Sequence, residues 1–243
     1  MTVRTRGRRG PFWTLITPDN HYASRLPGLS GAVLVKLVTP RFAGARFGQY
    51  LVDLEEGGGI DACGGDREHF VYVLEGAVDL CGAASTTLPV GGYAYRPPGG
   101  SFGFRSPHGA RLIWVQRHHE PWGDLPAPGP VTGHRDDAPF EALAVPGLTR
   151  RELLAADDPS FDFNMSLLRF GPGAALDRVE IHDEEHGLYM TAGAGVYLLD
   201  RERHDVREHD FIHMAPYCPQ SFVASAEGAA EYLLYKDVFR TGF

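Results

Sequence analysis

The segment EHFVYVLEGAVDL at 68–80 returns 117 residues later as EHGLYMTAGAGVYLL at 185–199, with Glu-His on Glu-His and Gly76 on Gly193. A second pair, GGYAYRPPGG at 91–100 and EHDFIHMAPYCP at 208–219, sets Pro98 on Pro216 at an offset of 118. A chain that repeats itself at this period has to build one unit twice, and about 110–120 residues per copy is an ordinary domain size. What the unit is made of follows from its punctuation. Short runs rich in Val, Tyr, Leu and Phe (FGQYLVDL, ARLIWVQR, NMSLLRF, DFIHMAP, EYLLYKDVF) are broken by 30 Gly and 18 Pro. That rhythm predicts an all-β sandwich or barrel. One short helix is expected near TRRELLAADD, 149–158. The Pro-, Gly- and Asp-rich stretch HHEPWGDLPAPGPVTGHRDDAP (118–139) reads as the junction between copies. The expected division is a first barrel over 1–125, a linker over 126–145 and a second barrel over 146–243.

Charge and cysteine content narrow the function. The net charge of −8 argues against a general nucleic-acid binder, which needs clustered Lys and Arg to neutralise phosphates. Arg4, Arg6, Arg8 and Arg9 form one basic cluster, read as a solvated tail. No apolar run reaches the roughly 18 residues of a membrane span, and no apolar h-region follows the arginines. A cytoplasmic protein without membrane or nucleic-acid partners is expected. Cys63, Cys81 and Cys218 are odd in number and form no C-x-x-C pair, which fits reduced thiols better than a disulfide or thiolate metal site.

Chemistry concentrates in EIHDEEHG, 180–187. On a helix, His182 and His186 would lie one turn apart like the ligands of a zinc protease, but that motif needs Glu directly after the first His, and Asp183 stands there. The following GLYMTAGAGVYLL carries three Gly and no sustained 3.6-residue period. The strand reading therefore prevails: Glu180 and His182 point to one face, an acidic turn follows, and His186 opens the next strand.

The layout of each copy is a Gly-Pro-Gly turn, a ligand-bearing strand, a Gly-bearing hairpin and a second strand ending in Pro. It resembles the cupin family, a jelly-roll barrel with a metal inside. At the positions of the cupin motifs stand Glu180, His182 and His186, and Gln220 takes the place of the usual final His. One carboxylate, two imidazoles and an amide oxygen without thiolate suit Mn²⁺, or Fe²⁺ or another divalent ion. The first copy has Cys63, Gly65 and His69 at the corresponding places and Phe102 near that of Gln220. Its metal site is expected to be degenerate, with His69 a satisfied core residue. His118 and His119 read as surface residues.

The run FDFNMSLLRFGPGAALDRVEIHDEEHGLYMTAGAGVYLLD, with MAPYCPQSF, YLLYKDVFR and LITPDNHYASRLPG, is closer still. It resembles the (S)-ureidoglycine aminohydrolases, manganese bicupins that hydrolyse (S)-ureidoglycine to (S)-ureidoglycolate and ammonia in purine degradation. His209 departs from the pattern, which commonly has Gly there. The resemblance implies metal ligands Glu180, His182, His186 and Gln220. It implies substrate contacts at Phe163, Tyr197, Tyr232 and Lys236, as well as at Glu180 and Gln220, with Glu180 and Lys236 as the catalytic pair. It also implies a small ureido acid as partner and a homo-oligomer. Competing readings are another metal-cupin enzyme, an oxygenase or isomerase, and a non-catalytic ligand-binding bicupin.

Overall fold

The computed structural model describes residues 5–42, 44–63, 65–81 and 86–238, excluding the side chains of Ala62 and Cys63. Among the described residues there is no α-helix, and one 3-10 turn, Pro18–Asn20, is the only helical element. Among the described residues no helix is long and apolar enough to cross a membrane. The chain divides into two compact units, Tyr22–Asp137 and, in two pieces, Met1–His21 with Ala138–Phe243.

Both units follow one strand plan, as the repeat requires. In the first, Ala110–His118 runs antiparallel between Phe47–Cys63 and Arg67–Leu80. In the second, Ala230–Asp237 runs antiparallel between Phe163–Phe170 and His186–Ala192. The paired glycines have the same job in each copy. Gly76 (φ 71°) and Gly193 (φ 74°) lie in the left-handed region. A Cβ there would stand 2.3 Å from the Gly109 carbonyl oxygen or 2.2 Å from that of Ala229. Only glycine meets both demands. Beyond Gly193 the chain leaves the eight-stranded sheet for a three-stranded one made of Ala194–Leu199, Glu202–Arg207 and Gln220–Ala224. Both sheets feed one core, with Leu188, Met190 and Tyr232 from one side and Tyr197, Leu199 and Phe222 from the other.

Several boundaries differ from the sequence expectation, for reasons of burial and pairing. The segment through His21 belongs with the second unit because Trp13–Ile16 pairs with Phe211–Met214. It also buries Trp13 and Leu15 in that unit's core, each fully buried apolar side chain contributing about 1.5–3 kcal/mol. The basic tail is accordingly not free. Arg6 donates to both carboxylate oxygens of buried Asp210, at 2.8 and 2.6 Å, and Arg8–Arg9 pairs with the strand after it; Arg4 lies outside the described residues. The stretch expected as a linker carries the strand Val131–His134, paired with Gly92–Arg96. The helix expected at 149–158 is instead the strand Leu148–Glu152 and a turn. Helix-favouring Arg, Glu, Leu and Ala lose there to the ladder offered by Phe163–Phe170. His118 is exposed as expected, but the His119 side chain is buried, with Nδ1 3.4 Å from a Glu68 carboxylate oxygen. Cys218 is buried and Cys81 half-buried, both as free thiols; the Cys63 side chain lies outside the described residues.

Aromatic side chains pack around His69 in the first unit. His69 stacks on Phe102 at 4.2 Å between centroids and 6° between planes. Its Nδ1 accepts a hydrogen bond from the Trp114 indole N–H at 3.2 Å. Phe104 and Tyr50 pack on the same Trp114. His69 is thus a half-buried histidine committed to an aromatic stack and an indole hydrogen bond.

Candidate metal centre

The segment 175–182 lies along Gln220–Ala224, through single bridges at Ala175–Val223 and Glu180–Gln220. Glu180 and Gln220 exchange both backbone hydrogen bonds, at 2.8 and 3.0 Å, and the Tyr217 N–H donates to the His182 carbonyl at 2.7 Å. Val179 and Ile181 are exposed, whereas Glu180 and His182 turn inward. The alternation expected of a strand is present although only isolated bridges form, and the helical alternative does not arise. His186 then opens the strand His186–Ala192.

These elements enclose a cavity of about 270 Å³ lined by Glu180, His182, His186, Tyr197, Gln220, Tyr232 and Lys236. Arg150, Asn164 and Ser166 add polar wall, and Leu143, Val145, Leu148, Leu168, Leu176 and Leu234 add apolar wall. A larger groove of about 410 Å³ on the same unit has Asp205 as its only carboxylate and no histidine, whereas the smaller space brings two histidines and a glutamate together. Lys236 sits directly across the ladder from both His186 and Asn164. The pleat then puts Tyr232 and Leu234 on the same inward face.

Gln220 is the centre of the polar contacts. Its Nε2 lies 3.1 Å from His182 Nε2 and 3.3 Å from His186 Nδ1, and its Oε1 accepts from the Tyr197 hydroxyl at 3.1 Å. The rings of His182 and His186 stand 4.8 Å apart. In this arrangement two imidazole lone pairs converge on one amide nitrogen. His186 Nε2 is buried without a hydrogen-bond partner. The side chain of Glu180 makes no hydrogen bond or ion pair among the described residues. Burial, then the charges of His182 and Lys236, hold the His186 imidazole well below its ordinary pKa, so it is a neutral donor at physiological pH. Burial first, then Tyr232 and Glu180, pushes the Tyr197 hydroxyl well up; burial and then Glu180 does the same to Tyr232. Both remain protonated hydrogen-bonding groups. Burial likewise raises the nearby Cys218 thiol to about 11, which keeps it out of metal chemistry.

Phe163 does not line the cavity. It occupies the opposite parity of its strand and stacks on Tyr235 at 5.2 Å, whereas Asn164 and Ser166 face inward, joined by a 2.7 Å hydrogen bond. Two small polar residues at alternate positions in the first half of a mostly apolar strand were the available signal for them. Glu184, in the acidic turn between the two histidines, bridges His182 and Lys236 at 2.9 Å each. Burial raises its carboxyl, but the hydrogen bond and charge of Lys236, with a smaller effect of His182, outweigh this and leave its pKa lowered.

No family model matches the chain. Against curated proteins it is 34% identical over 230 residues to the (S)-ureidoglycine aminohydrolase of Arabidopsis thaliana, covering 93% of this chain and 76% of that protein. It is 33% identical over 241 residues to the (S)-ureidoglycine aminohydrolase of Escherichia coli, covering 96% and 90%. The chain belongs to the (S)-ureidoglycine aminohydrolase family. As such it is a hydrolase acting on C–N bonds. Among solved structures, the E. coli protein Ylba superposes with a TM-score of 0.86 at 30% identity, covering 98% of this chain and 96% of that one. A cupin 2 conserved barrel domain protein from Leptotrichia buccalis superposes at 0.66 with 13% identity, covering 92% and 95%. The duplicated barrel of this aminohydrolase family member is thus a bicupin.

Proposed function

We propose that the chain hydrolyses (S)-ureidoglycine to (S)-ureidoglycolate and ammonia on a divalent metal, manganese in the first place, held by Glu180, His182, His186 and Gln220. The observation that carries this is the convergence of two imidazole lone pairs on the Gln220 amide, inside a cavity that also holds the uncommitted Glu180 carboxylate and Lys236. The residues fit such an ion: neutral nitrogen and oxygen donors without thiolate suit Mn²⁺ or Fe²⁺. Turning the Gln220 amide about its last bond would put the oxygen toward the rings. The Tyr197 hydroxyl, donor and acceptor both, can serve either orientation.

A metal bound here would act as a Lewis acid on the reacting centre. The chain's own groups supply the rest. The C–N bond to the amine breaks, a C–O bond to water forms, and one proton passes from that water to the departing ammonia. Glu180 can accept that proton and return it to the leaving nitrogen. Lys236 pairs with the substrate carboxylate or a ureido oxygen and so selects the face that meets water. Tyr232, Asn164 and Ser166 hydrogen-bond the remaining polar ends. Phe163 has no place in this scheme, and Tyr197 acts on Gln220. The free thiols of Cys81 and Cys218 support a reducing compartment such as the cytoplasm.

The test is to generate ureidoglycine in situ from allantoate, add the purified chain with Mn²⁺, and follow ammonia and chiral ureidoglycolate. Enantioenriched (S)-ureidoglycolate with matching ammonia is expected. Product that forms no faster and no more selectively than without protein refutes the assignment. Lys236→Ala should lower turnover at least about tenfold, roughly 1.4 kcal/mol of barrier.

A further inference from the structure

One carboxylate serves two members of the cavity wall. Glu184 Oε2 stands 2.9 Å from His182 Nδ1, and Oε1 stands 2.9 Å from Lys236 Nζ. Glu184 does not itself line the cavity, whereas His182 and Lys236 do. It therefore backs both groups. His182 Nδ1 has no hydrogen-bond partner in the present ring setting, and its other nitrogen, Nε2, takes the Gln220 amide N–H at 3.1 Å. For Nε2 to accept, the ring proton must sit on Nδ1, on the side of Glu184. A carboxylate beside one imidazole nitrogen fixes the proton there and leaves the lone pair of the other aimed at a metal. His186 lacks this support, so the two histidines are not equivalent.

We infer that Glu184 is a positioning residue, which holds His182 in the tautomer and orientation that presents Nε2 to the cavity and anchors the Lys236 ammonium at the cavity wall. The inference rests on the metal-site reading above. An ammonium has three donors, so Lys236 can keep Glu184 and still receive an anionic group of the substrate. The acidic run between the two histidines is thereby not uniform: Glu184 supports the site from behind.

Mn²⁺ titration of the apoprotein, read by the electron paramagnetic resonance of free aqueous Mn²⁺, separates the outcomes. Glu184→Ala should weaken Mn²⁺ binding by about 10–100-fold. Glu184→Asp should recover most of that loss, and Lys236→Met should leave binding within about twofold of the parent. Unchanged thermal midpoints of the apo variants would locate the effect in the site rather than in folding. At saturating Mn²⁺, Glu184→Ala should keep a residual loss in kcat/KM carried mainly by KM, from the loosened Lys236. If the parent binds Mn²⁺ and Glu184→Ala binds it equally well, the inference falls and the metal-site reading stands. If the parent binds no divalent ion, both fall. Full recovery of kcat/KM at saturating Mn²⁺ overturns the Lys236 half.

Discussion

A buried glutamine between two imidazoles also needs a partner at the other end of its amide, and Tyr197 supplies it. Its hydroxyl reaches Gln220 Oε1 at 3.1 Å, and burial keeps it protonated. Tyr197→Phe would leave one end of a buried amide without its partner, at about 1–3 kcal/mol. A urea denaturation midpoint lowered to match, with Mn²⁺ affinity also reduced, is the expected result; an unchanged midpoint would mean that water replaces the hydroxyl without loss. At this scale much of the site was legible in the sequence. Glu180, His182 and His186 stand out by residue type and spacing and Gln220 by its place in the cupin pattern, and the structure gathers the four around one cavity. Phe163 was misplaced because seven of the eight residues of FNMSLLRF are buried, so burial alone does not separate the face toward Tyr235 from the cavity face that the polar Asn164 and Ser166 mark. Glu184 escaped because an acid in a turn carries no sequence mark that tells a bridge from a solvated group.

Strands and turns obey the repeat more closely than the candidate site residues do. Gly193 and Gly76 share a left-handed φ and a backbone carbonyl within 2.3 Å of where a Cβ would be. Gly193→Ala therefore meets conformational strain and a clash together, and a loss of about 2–3 kcal/mol follows. Gly57, also left-handed at φ 73° but open around its Cβ position, is the control, and Gly57→Ala should cost only about 1 kcal/mol. Chemical denaturation of the two variants tests the ordering; equal losses would show that the close carbonyl relaxes freely. His209, where the family pattern commonly has Gly, sits at φ 70°, so the pattern's glycine has the same conformational cause. Elements set by local composition were legible, including all the apolar runs quoted from the sequence. Those set by a distant partner were not. Leu148–Glu152 is a strand paired with the next one, Phe163–Phe170, across a turn that its helix-favouring composition hides, and Trp13–Ile16 takes its place from Phe211–Met214, about 200 residues on.

At the scale of the whole molecule, one strand plan encloses two different interiors, a cavity lined by two histidines and a glutamate and a stack of aromatics around His69. The second has a consequence for acid stability. Burial, then the charge of Arg67, holds His69 at about 4 against 6.5 for a free imidazole. Its Nδ1 must stay unprotonated to accept the Trp114 N–H. The unfolded chain therefore takes up this proton first as the pH falls. Stability that His69 leaves intact above pH 6.5 is lost progressively down to about pH 4, where the folded ring titrates as well and the loss levels off. The full window amounts to about 3 kcal/mol. Equilibrium unfolding of the metal-free protein in urea at half-unit steps from pH 7.5 to 4 should show that slope. His69→Gln keeps an acceptor for Trp114 and removes the titration, so it should start less stable at pH 7.5 because the ring stack with Phe102 is gone. It should then lose less on acidification, and the two curves should converge toward pH 4. Parallel curves would mean that His69 takes its proton in the folded state near its ordinary pKa, and that the acid sensitivity of the protein arises elsewhere.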